Sequence, residues 1–129
     1  MERSERVAVI GAGPSGITAA KNLVDAGFSD LTVFDRGHAV GGNWVFDDTS
    51  GHSSVFETTH IISSRQYSQY ADFPLPDDTP DYPGHRQLAA YFQAYARHFR
   101  LIDHIRFKHT VLACVRRDGG GWDVTVRDD

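Results

Sequence analysis

A short apolar run that ends in a glycine-rich turn constrains this chain more than any other part of its sequence. The letters VAVI at residues 7–10 predict a strand buried on both faces, and GAGPSG follows at once. Pro14 can open a helix, because a helix needs no N–H from its first residue. Apolar residues then recur at helical spacing and predict one buried helix face; they are Ile17, Ala20, Leu23 and Val24. Gly27 follows them and can end the helix in the left-handed backbone conformation.

A second β-type run, LTVFD at residues 31–35, completes a strand–helix–strand unit. Two strands linked by one helix in about 30 residues predict a parallel pair with a right-handed crossover. The turn matches G-x-G-x-x-G, whose glycines allow a tight turn, a close backbone approach to a pyrophosphate and close helix–strand packing. Asp35 stands 19 residues beyond Gly16, where a carboxylate can accept hydrogen bonds from ribose hydroxyls. The sequence therefore predicts a dinucleotide site in a Rossmann-like α/β fold.

The sequence also argues against a P-loop, a nucleophile elbow and a metal site. A P-loop needs lysine after Gly16, where Ile17 stands. A nucleophile elbow around Ser15 needs glycine at that same position. The seven histidines show no paired spacing for a metal, and one cysteine, Cys114, accompanies them. We therefore expect no metal site and no internal disulfide.

Size and charge narrow the class of protein further. The 129 residues can form one hydrophobic core, and a formal net charge of −4 with scattered basic residues argues against a nucleic-acid surface. No apolar run reaches the roughly 20 residues of a membrane helix, and the run near the N-terminus is too short for a signal peptide. A lone cysteine suits a reducing compartment. We expect a cytoplasmic protein with no membrane segment and no nucleic-acid partner, and nothing in the sequence sets its oligomeric state.

The rest of the chain divides into a long excursion, a helix and a hairpin. Residues 36–84 are rich in Gly, Ser, Thr, Asp and Pro, yet they carry too many aromatic residues for a disordered linker. We therefore expect an ordered segment whose aromatic residues pack against another part of the protein. These aromatic residues are Trp44, Phe46, Phe56, Tyr67, Tyr70 and Phe73. Residues 85–100 predict a helix with one apolar stripe, formed by Leu88, Phe92, Tyr95 and Phe99. Residues 105–107 are β-like, and residues 110–115 and 122–127 predict an antiparallel hairpin around a glycine turn.

A second glycine motif carries a resemblance to a known family. After Asp35 the chain reads RGHAVGGNW at residues 36–44. An acidic residue, a basic neighbour and Gly-Gly at this spacing resemble the FAD-binding start of flavoproteins with two dinucleotide sites. The ending GG-x-W is similar to the flavin-containing monooxygenases, class B flavoproteins that include ketone monooxygenases. YADFPLP at 70–76, YPGHRQ at 82–87 and IRFKHTV at 105–111 look like further segments of that family, so the resemblance covers nearly the whole chain.

The resemblance implies a cofactor, a chemistry and a set of binding residues. Members bind FAD, use NADPH as co-substrate and pass one atom of O₂ to a small molecule, either a soft nitrogen or sulfur nucleophile or a ketone. Asp35 would bind the adenosine ribose, although the family more often has glutamate there, and backbone groups of Val111 would face the adenine. Asn43 and Trp44 would lie against the flavin half. The implied cofactor-binding residues are Gly11, Ala12, Gly13, Pro14, Ser15, Gly16, Asp35, Arg36, Gly42, Asn43, Trp44, Ile62, Ser63 and Val111.

One position departs from the family's pattern. Ile62 stands where many members carry an asparagine beside the flavin, and an isoleucine side chain cannot donate a hydrogen bond. The neighbouring hydroxyls of Ser63 and Ser64 are the catalytic candidates, and one of them would take over that contact. Alternatively, the two serines only cap a turn.

Other features of the family are missing from these 129 residues. There is no second glycine fingerprint for NADPH after Gly16 and no F-x-G-x-x-x-H segment. We therefore expect residues 1–129 to be the N-terminal part of an FAD-binding domain, incomplete, without an NADPH domain and inactive alone. Two alternatives stay open: another flavin enzyme, such as an amine oxidase or a reductase relative, and a nucleotide-binding module without catalysis. A C-x-x-C motif would favour the reductase, but Cys114 stands alone.

Overall fold

The computed structural model describes residues 3–47 and 53–129, which form five strands, three α-helices and two short 3₁₀ turns. In chain order these are β1 (Val7–Ile10), α1 (Pro14–Asp25), β2 (Leu31–Phe34), a 3₁₀ turn (Gly42–Trp44), α2 (Arg65–Ser68), α3 (His85–His98), a second 3₁₀ turn (Ile102–His104), β3 (Ile105–Arg106), β4 (His109–Arg116) and β5 (Trp122–Asp128). None of the helices in the described ranges is long and apolar enough to cross a bilayer.

The first three strands form a parallel sheet with β2 in the middle. Val7 of β1 lies opposite Leu31 of β2, and Val33 of β2 lies opposite Ile105 of β3. Helix α1 packs on β1 and β2 and also contacts α3, so both long helices enclose one core. Parallel strands joined by a helical crossover confirm the predicted α/β fold. The buried core includes Ile17, Ala20, Leu31, Val33, Leu88, Tyr95 and Ile105.

Two predictions about burial in the strand–helix–strand unit are wrong. Strand β1 was predicted to be buried on both faces, but its residues alternate, with Ala8 exposed and Ile10 60% exposed. The described residues therefore cover only one face of β1. Val24 was predicted on the buried face of α1 but is 37% exposed, because the helix buries the narrower stripe centred on Ile17. Gly27 has φ 93°, which confirms the predicted left-handed stop.

The excursion from residue 36 to residue 84 has little regular structure in its described part, yet some of its aromatic residues are anchored. Trp44, Tyr70 and Phe73 pack against the core, as expected for an ordered segment. Phe56 and Tyr67 are 78% and 84% exposed, so the expectation that they pack inward is wrong. Residues 48–52 of this excursion lie outside the described residues.

An aromatic cluster, formed by Tyr70, Phe73, Tyr91, Phe92, Tyr95 and Phe99, joins the excursion to α3. The ring centroids of Tyr70 and Tyr95 are 4.8 Å apart, and those of Phe73 and Tyr91 are 5.6 Å apart. Such pairs add about 0.5–1.5 kcal/mol each beyond the burial of their area. The predicted apolar stripe of α3 is thus confirmed, and it holds residues 70–73 in place.

The C-terminal hairpin is confirmed and is joined to the end of β2. Strands β4 and β5 are antiparallel, with one irregularity in register just after Val111. The N–H of Lys108 donates to the carbonyl of Gly37, and the N–H of His109 donates to the carbonyl of Asp35, both at 2.9 Å. The hairpin therefore begins beside the carboxyl end of the parallel sheet.

The aromatic cluster predicts a contrast between two phenylalanines of the excursion. Phe73→Ala should lower the free energy of unfolding by about 3 kcal/mol, because it leaves a cavity among the rings of Tyr91, Tyr95 and Phe99. The matched variant Phe56→Ala should change it by less than about 0.5 kcal/mol, since that ring is exposed. Urea unfolding followed by circular dichroism measures both, and equal losses would contradict the packing described.

Candidate dinucleotide-binding site

The turn between β1 and α1 leaves the first amides of the helix without a side-chain acceptor. Gly13 is the N-cap residue, with φ −76° and ψ −176°, and Pro14 is the first helical residue. No side chain caps this end, and no acidic residue lies in the first turn. The first N–H groups of a helix lack intrahelical partners and carry the positive end of its dipole. This end of α1 can therefore accept an anion such as a phosphate.

Of two glycines in the loop, Gly13 and Gly16, the packing of the chain itself requires only one. A Cβ atom on Gly16 would lie 1.9 Å from the carbonyl oxygen of Gly11, which no rearrangement of a side chain relieves. A Cβ atom on Gly13 would meet the Cα atom of Gly42 at 3.5 Å, an ordinary contact. The fold of this chain therefore demands glycine at position 16, whereas it tolerates a methyl group at position 13.

The Gly-Gly pair is seated directly on the glycine loop. The N–H of Gly41 donates to the carbonyl of Ala12 at 3.1 Å. Gly42 has φ 56°, and a Cβ atom there would lie 2.9 Å from the Cα atom of Gly13. From the other side, the side-chain amide of Gln93 in α3 donates to the carbonyl of Val40 at 3.1 Å. The second glycine motif is thus held between the loop and α3, and only backbone can approach so closely.

The carboxylate of Asp35 holds the glycine loop, a contact that sequence reasoning missed. Its Oδ2 accepts the N–H of Ala12 and its Oδ1 accepts the N–H of Gly37, each at 2.7 Å. Each carboxylate oxygen can accept a second hydrogen bond. Asp35 therefore lies where the fingerprint predicts, ties the loop to the end of β2, and keeps acceptor capacity for a ligand hydroxyl.

A cavity of about 110 Å³ lies beside this carboxylate and brings together four of the predicted residues, Asp35, Arg36, Gly42 and Asn43. His38 also lines it, with Nδ1 3.8 Å from a carboxylate oxygen of Asp47. The sequence offers no reason to single out His38, because no spacing signal distinguishes it from the other six histidines. A larger cavity of about 400 Å³, between the proline-rich segment and α3, contains none of the predicted site residues.

Other predicted residues lie outside this cavity. Ile62 is 99% exposed, and the Ser63 hydroxyl lies 2.6 Å from that of Ser68. Ser64 is the N-cap residue of α2, but its side chain makes no capping hydrogen bond, so turn capping does not account for its hydroxyl. Trp44 is half-buried against the core. Val111 lies in β4, on the hairpin that begins beside the carboxyl end of the parallel sheet.

The described part of the chain holds no cluster of metal ligands. No group of three or more His, Cys, Asp or Glu side chains that could bind a metal ion occurs in residues 3–47 and 53–129. Cys114 is exposed and not paired in a disulfide. The groups that the site offers to a ligand include the backbone amides at the start of α1 and the carboxylate of Asp35.

Three features together define a dinucleotide-binding α/β protein. They are a parallel β–α–β unit, a glycine turn with free helix amides, and a carboxylate after β2. A family model described as flavin-binding monooxygenase-like matches residues 4–129, and the chain belongs to this family. Its members are oxidoreductases that use NADPH and O₂. Membership in this family argues against the two alternative flavin enzymes, the amine oxidase and the reductase relative.

The chain is also similar to individual proteins of known sequence or structure. Dimethylaniline monooxygenase (N-oxide-forming) 2 of Rattus norvegicus is 35% identical over 131 residues, which cover 97% of this chain and 24% of the relative. The structure of S-allyl-L-cysteine S-oxygenase from Allium sativum matches with a TM-score of 0.79 and 24% identity, over 95% of this chain and 34% of that one. A structure of OTEMO in complex with FAD and NADP matches with a TM-score of 0.79 and 19% identity, over 100% and 24% of the two chains. The two structures show the same fold, and this chain spans about a quarter of the curated relative.

Proposed function

We propose that residues 1–129 form the N-terminal part of an FAD-binding domain within an NADPH- and O₂-dependent flavin monooxygenase. The observation that carries this proposal is the free N-terminal end of α1, with the backbone of Gly41 and Gly42 seated beside it and the Asp35 carboxylate holding the loop. These features meet at the carboxyl ends of β1 and β2, where open α/β sheets bind nucleotides. Family membership supports the class of reaction.

A diphosphate fits the observed glycine loop. The N-terminal amides of α1 supply hydrogen-bond donors, and the helix dipole adds roughly 0.3–1 kcal/mol for an anion at this position. Packing within the chain does not explain the glycine at position 13, since a Cβ atom there makes only an ordinary contact. A phosphate group lying over Gly13 does explain it, because a methyl group would occupy the same space.

The ribose hydroxyls of the adenosine half fit the free acceptor positions of Asp35. Both carboxylate oxygens are already oriented by protein amides, so the side chain is fixed before a ligand arrives. Aspartate is one methylene shorter than the glutamate common in the family. The hydrogen bond from the Ala12 N–H holds the Asp35 carboxylate close to the glycine loop. Asp35 would thus both bind the ribose and hold the loop that binds the diphosphate.

The flavin half extends past the second glycine motif in this proposal. Asn43 is exposed and lines the cavity beside Asp35, while Trp44 is half-buried against the core, so Asn43 is the better placed of the two for contact with the cofactor. Arg36 adds a positive charge next to the ribose, and Val111 would offer backbone groups to the adenine. When bound, FAD supplies hydride acceptance and oxygen activation, and the chain's residues bind and orient it.

The proposed substrate is a small molecule oxygenated at a soft nitrogen or sulfur atom, or at a ketone. The name of the rat relative specifies N-oxide formation, and that of the garlic enzyme specifies S-oxygenation. Both reactions transfer one oxygen atom to a lone pair. They therefore support a soft nucleophile as the first class of substrate to assay.

Gly13→Ala should abolish or strongly weaken FAD binding in the intact protein while leaving its fold intact, because the methyl group fits the chain but occupies the phosphate position. We expect at least about a tenfold rise in Kd, measured by flavin fluorescence titration. Gly119→Ala, in the open hairpin turn, is the matched control and should bind normally. Gly16→Ala should instead destabilise the fold itself. Full FAD occupancy in Gly13→Ala would remove the loop from the binding site.

Asp35→Ala should raise the Kd for FAD by about tenfold or more, since a hydrogen bond to a charged group contributes about 1.5–3 kcal/mol. Asp35→Glu should restore affinity to within about threefold, yet lower the stability of the apoprotein because its carboxylate no longer sits on the Ala12 amide. Asp30→Asn, which alters an exposed acid paired with Arg6, is the control. FAD titration and urea unfolding of the wild type and these three variants separate ribose binding from loop stabilisation. An unchanged Kd for FAD in Asp35→Ala contradicts the ribose contact.

One of the two serines after Ile62 would replace the family's asparagine at the flavin, and Ser64 is the better candidate because the Ser63 hydroxyl already has a partner in Ser68. Ser64→Ala should increase the H₂O₂ released per NADPH consumed by the intact enzyme, since oxygen activation would be less well coupled to substrate. Ser63→Ala is the matched comparison and should show a smaller effect. If both variants keep the wild-type ratio, neither serine has this role.

A further inference from the structure

Tyr70 reaches across 56 residues to the first residue of α1. Its hydroxyl donates a hydrogen bond to the carbonyl oxygen of Pro14 at 2.8 Å. Pro14 follows the N-cap directly, so this carbonyl lies in the turn that carries the free amides of the candidate site. The contact therefore links the excursion to the part of the chain that would hold a diphosphate.

The position of Tyr70 is set from several directions before it reaches Pro14. Its own N–H donates to the Tyr91 hydroxyl at 2.8 Å, and that hydroxyl donates in turn to the carbonyl of Phe73. Its ring packs on those of Tyr91 and Tyr95, with centroids 5.7 and 4.8 Å away. A side chain held in this way has little rotamer freedom, so the hydroxyl is directed at Pro14 rather than free to rotate away.

The bond has a fixed direction and a fixed donor. A carbonyl oxygen only accepts, so the Tyr70 hydroxyl must donate. Burial raises the pKa of Tyr70 well above its ordinary value, which keeps the hydroxyl protonated across the pH range in which proteins are handled. The Thr18 hydroxyl also lies 3.0 Å from the Pro14 carbonyl, but it belongs to α1 itself and cannot fix the helix relative to the rest of the chain.

A second link joins the same segment to the same helix. Lys21 of α1 forms ion pairs with Asp72 at 3.1 Å and with Asp25 at 2.8 Å. Its ammonium group also lies 5.2 Å from the ring centroid of Phe99 in the aromatic cluster. Tyr70 and Asp72 thus hold α1 at its first residue and nearly two turns later, which restrains the helix from sliding or tilting against the excursion.

We propose that Tyr70 is a positioning residue for the diphosphate: its hydroxyl orients and polarises the peptide unit between Pro14 and Ser15. The carbonyl of Pro14 and the N–H of Ser15 belong to one planar trans unit and point in opposite directions. A donor fixed on the carbonyl therefore fixes the N–H that faces the N-terminal end of the helix. Hydrogen bonds that share a peptide unit also polarise one another, which makes that N–H a stronger donor. This inference rests on the proposed binding of FAD at this loop.

The test compares Tyr70→Phe with Tyr95→Phe in the intact protein. Both variants remove one hydroxyl from the aromatic cluster and keep the ring, but only Tyr70 donates to α1. Tyr70→Phe should raise the Kd for FAD about three- to tenfold, the effect of losing one hydrogen bond that acts through the peptide unit. It should also shift the ³¹P resonances of the bound diphosphate. Tyr95→Phe should change neither quantity, and urea unfolding of the apoproteins gives the stability of each.

Distinct outcomes identify which claim fails. A wild-type Kd and wild-type ³¹P spectrum in Tyr70→Phe overturn the positioning role. Equal losses of affinity and stability in the two variants overturn it as well, because they reveal a general effect of the cluster. Failure of the wild-type protein to bind FAD at all overturns the proposed function and the role of Tyr70 with it.

Discussion

The shape of the binding site depends on the hydrogen bonds that the backbone groups of residues 11 and 12 make within the protein. The N–H of Gly11 donates to the carbonyl of Phe34, the N–H of Ala12 to the Asp35 carboxylate, and the carbonyl of Ala12 accepts from Gly41. Because these groups are satisfied within the protein, the turn is fixed to β2 and to the second glycine motif. The amides at the start of α1 are left free for a ligand. A loop held in this way needs little reorganisation when a diphosphate binds, which favours affinity.

The excursion and α3 act as the support of this loop. Gln93 in α3 holds the backbone just before the Gly-Gly pair, and the aromatic cluster fixes residues 70–73 against the same helix. From there Tyr70 and Asp72 contact α1. Segments with few regular hydrogen bonds thus connect the hydrophobic core to the binding loop. This arrangement explains the presence of Tyr70 and Phe73 in a stretch rich in glycine and proline. Phe56 and Tyr67, in contrast, are exposed and take no part in it.

Local patterns were sufficient to predict the strand–helix–strand unit, the Gly27 stop, α3 and the hairpin, because each depends on neighbouring residues. The burial of β1 was predicted wrongly, and Ile10 is exposed. A run of apolar residues shows that both faces of a strand could be buried, but it does not show whether another element covers each face. The fingerprint placed Asp35 at the site, but its bond to Ala12 spans 23 residues and follows from tertiary geometry. Phe56 was expected to pack inward, and composition alone could not distinguish it from Phe73.

A crystal structure of the intact protein with FAD bound would show directly whether the diphosphate lies at the start of α1. We expect diphosphate oxygens within about 2.7–3.2 Å of the N–H groups of Ser15 and Gly16, with the adenosine ribose on Asp35. The contacts of Ala12 with Asp35 and Gly41 should be unchanged from those described here. A diphosphate bound elsewhere, with the start of α1 facing only solvent, would contradict this expectation.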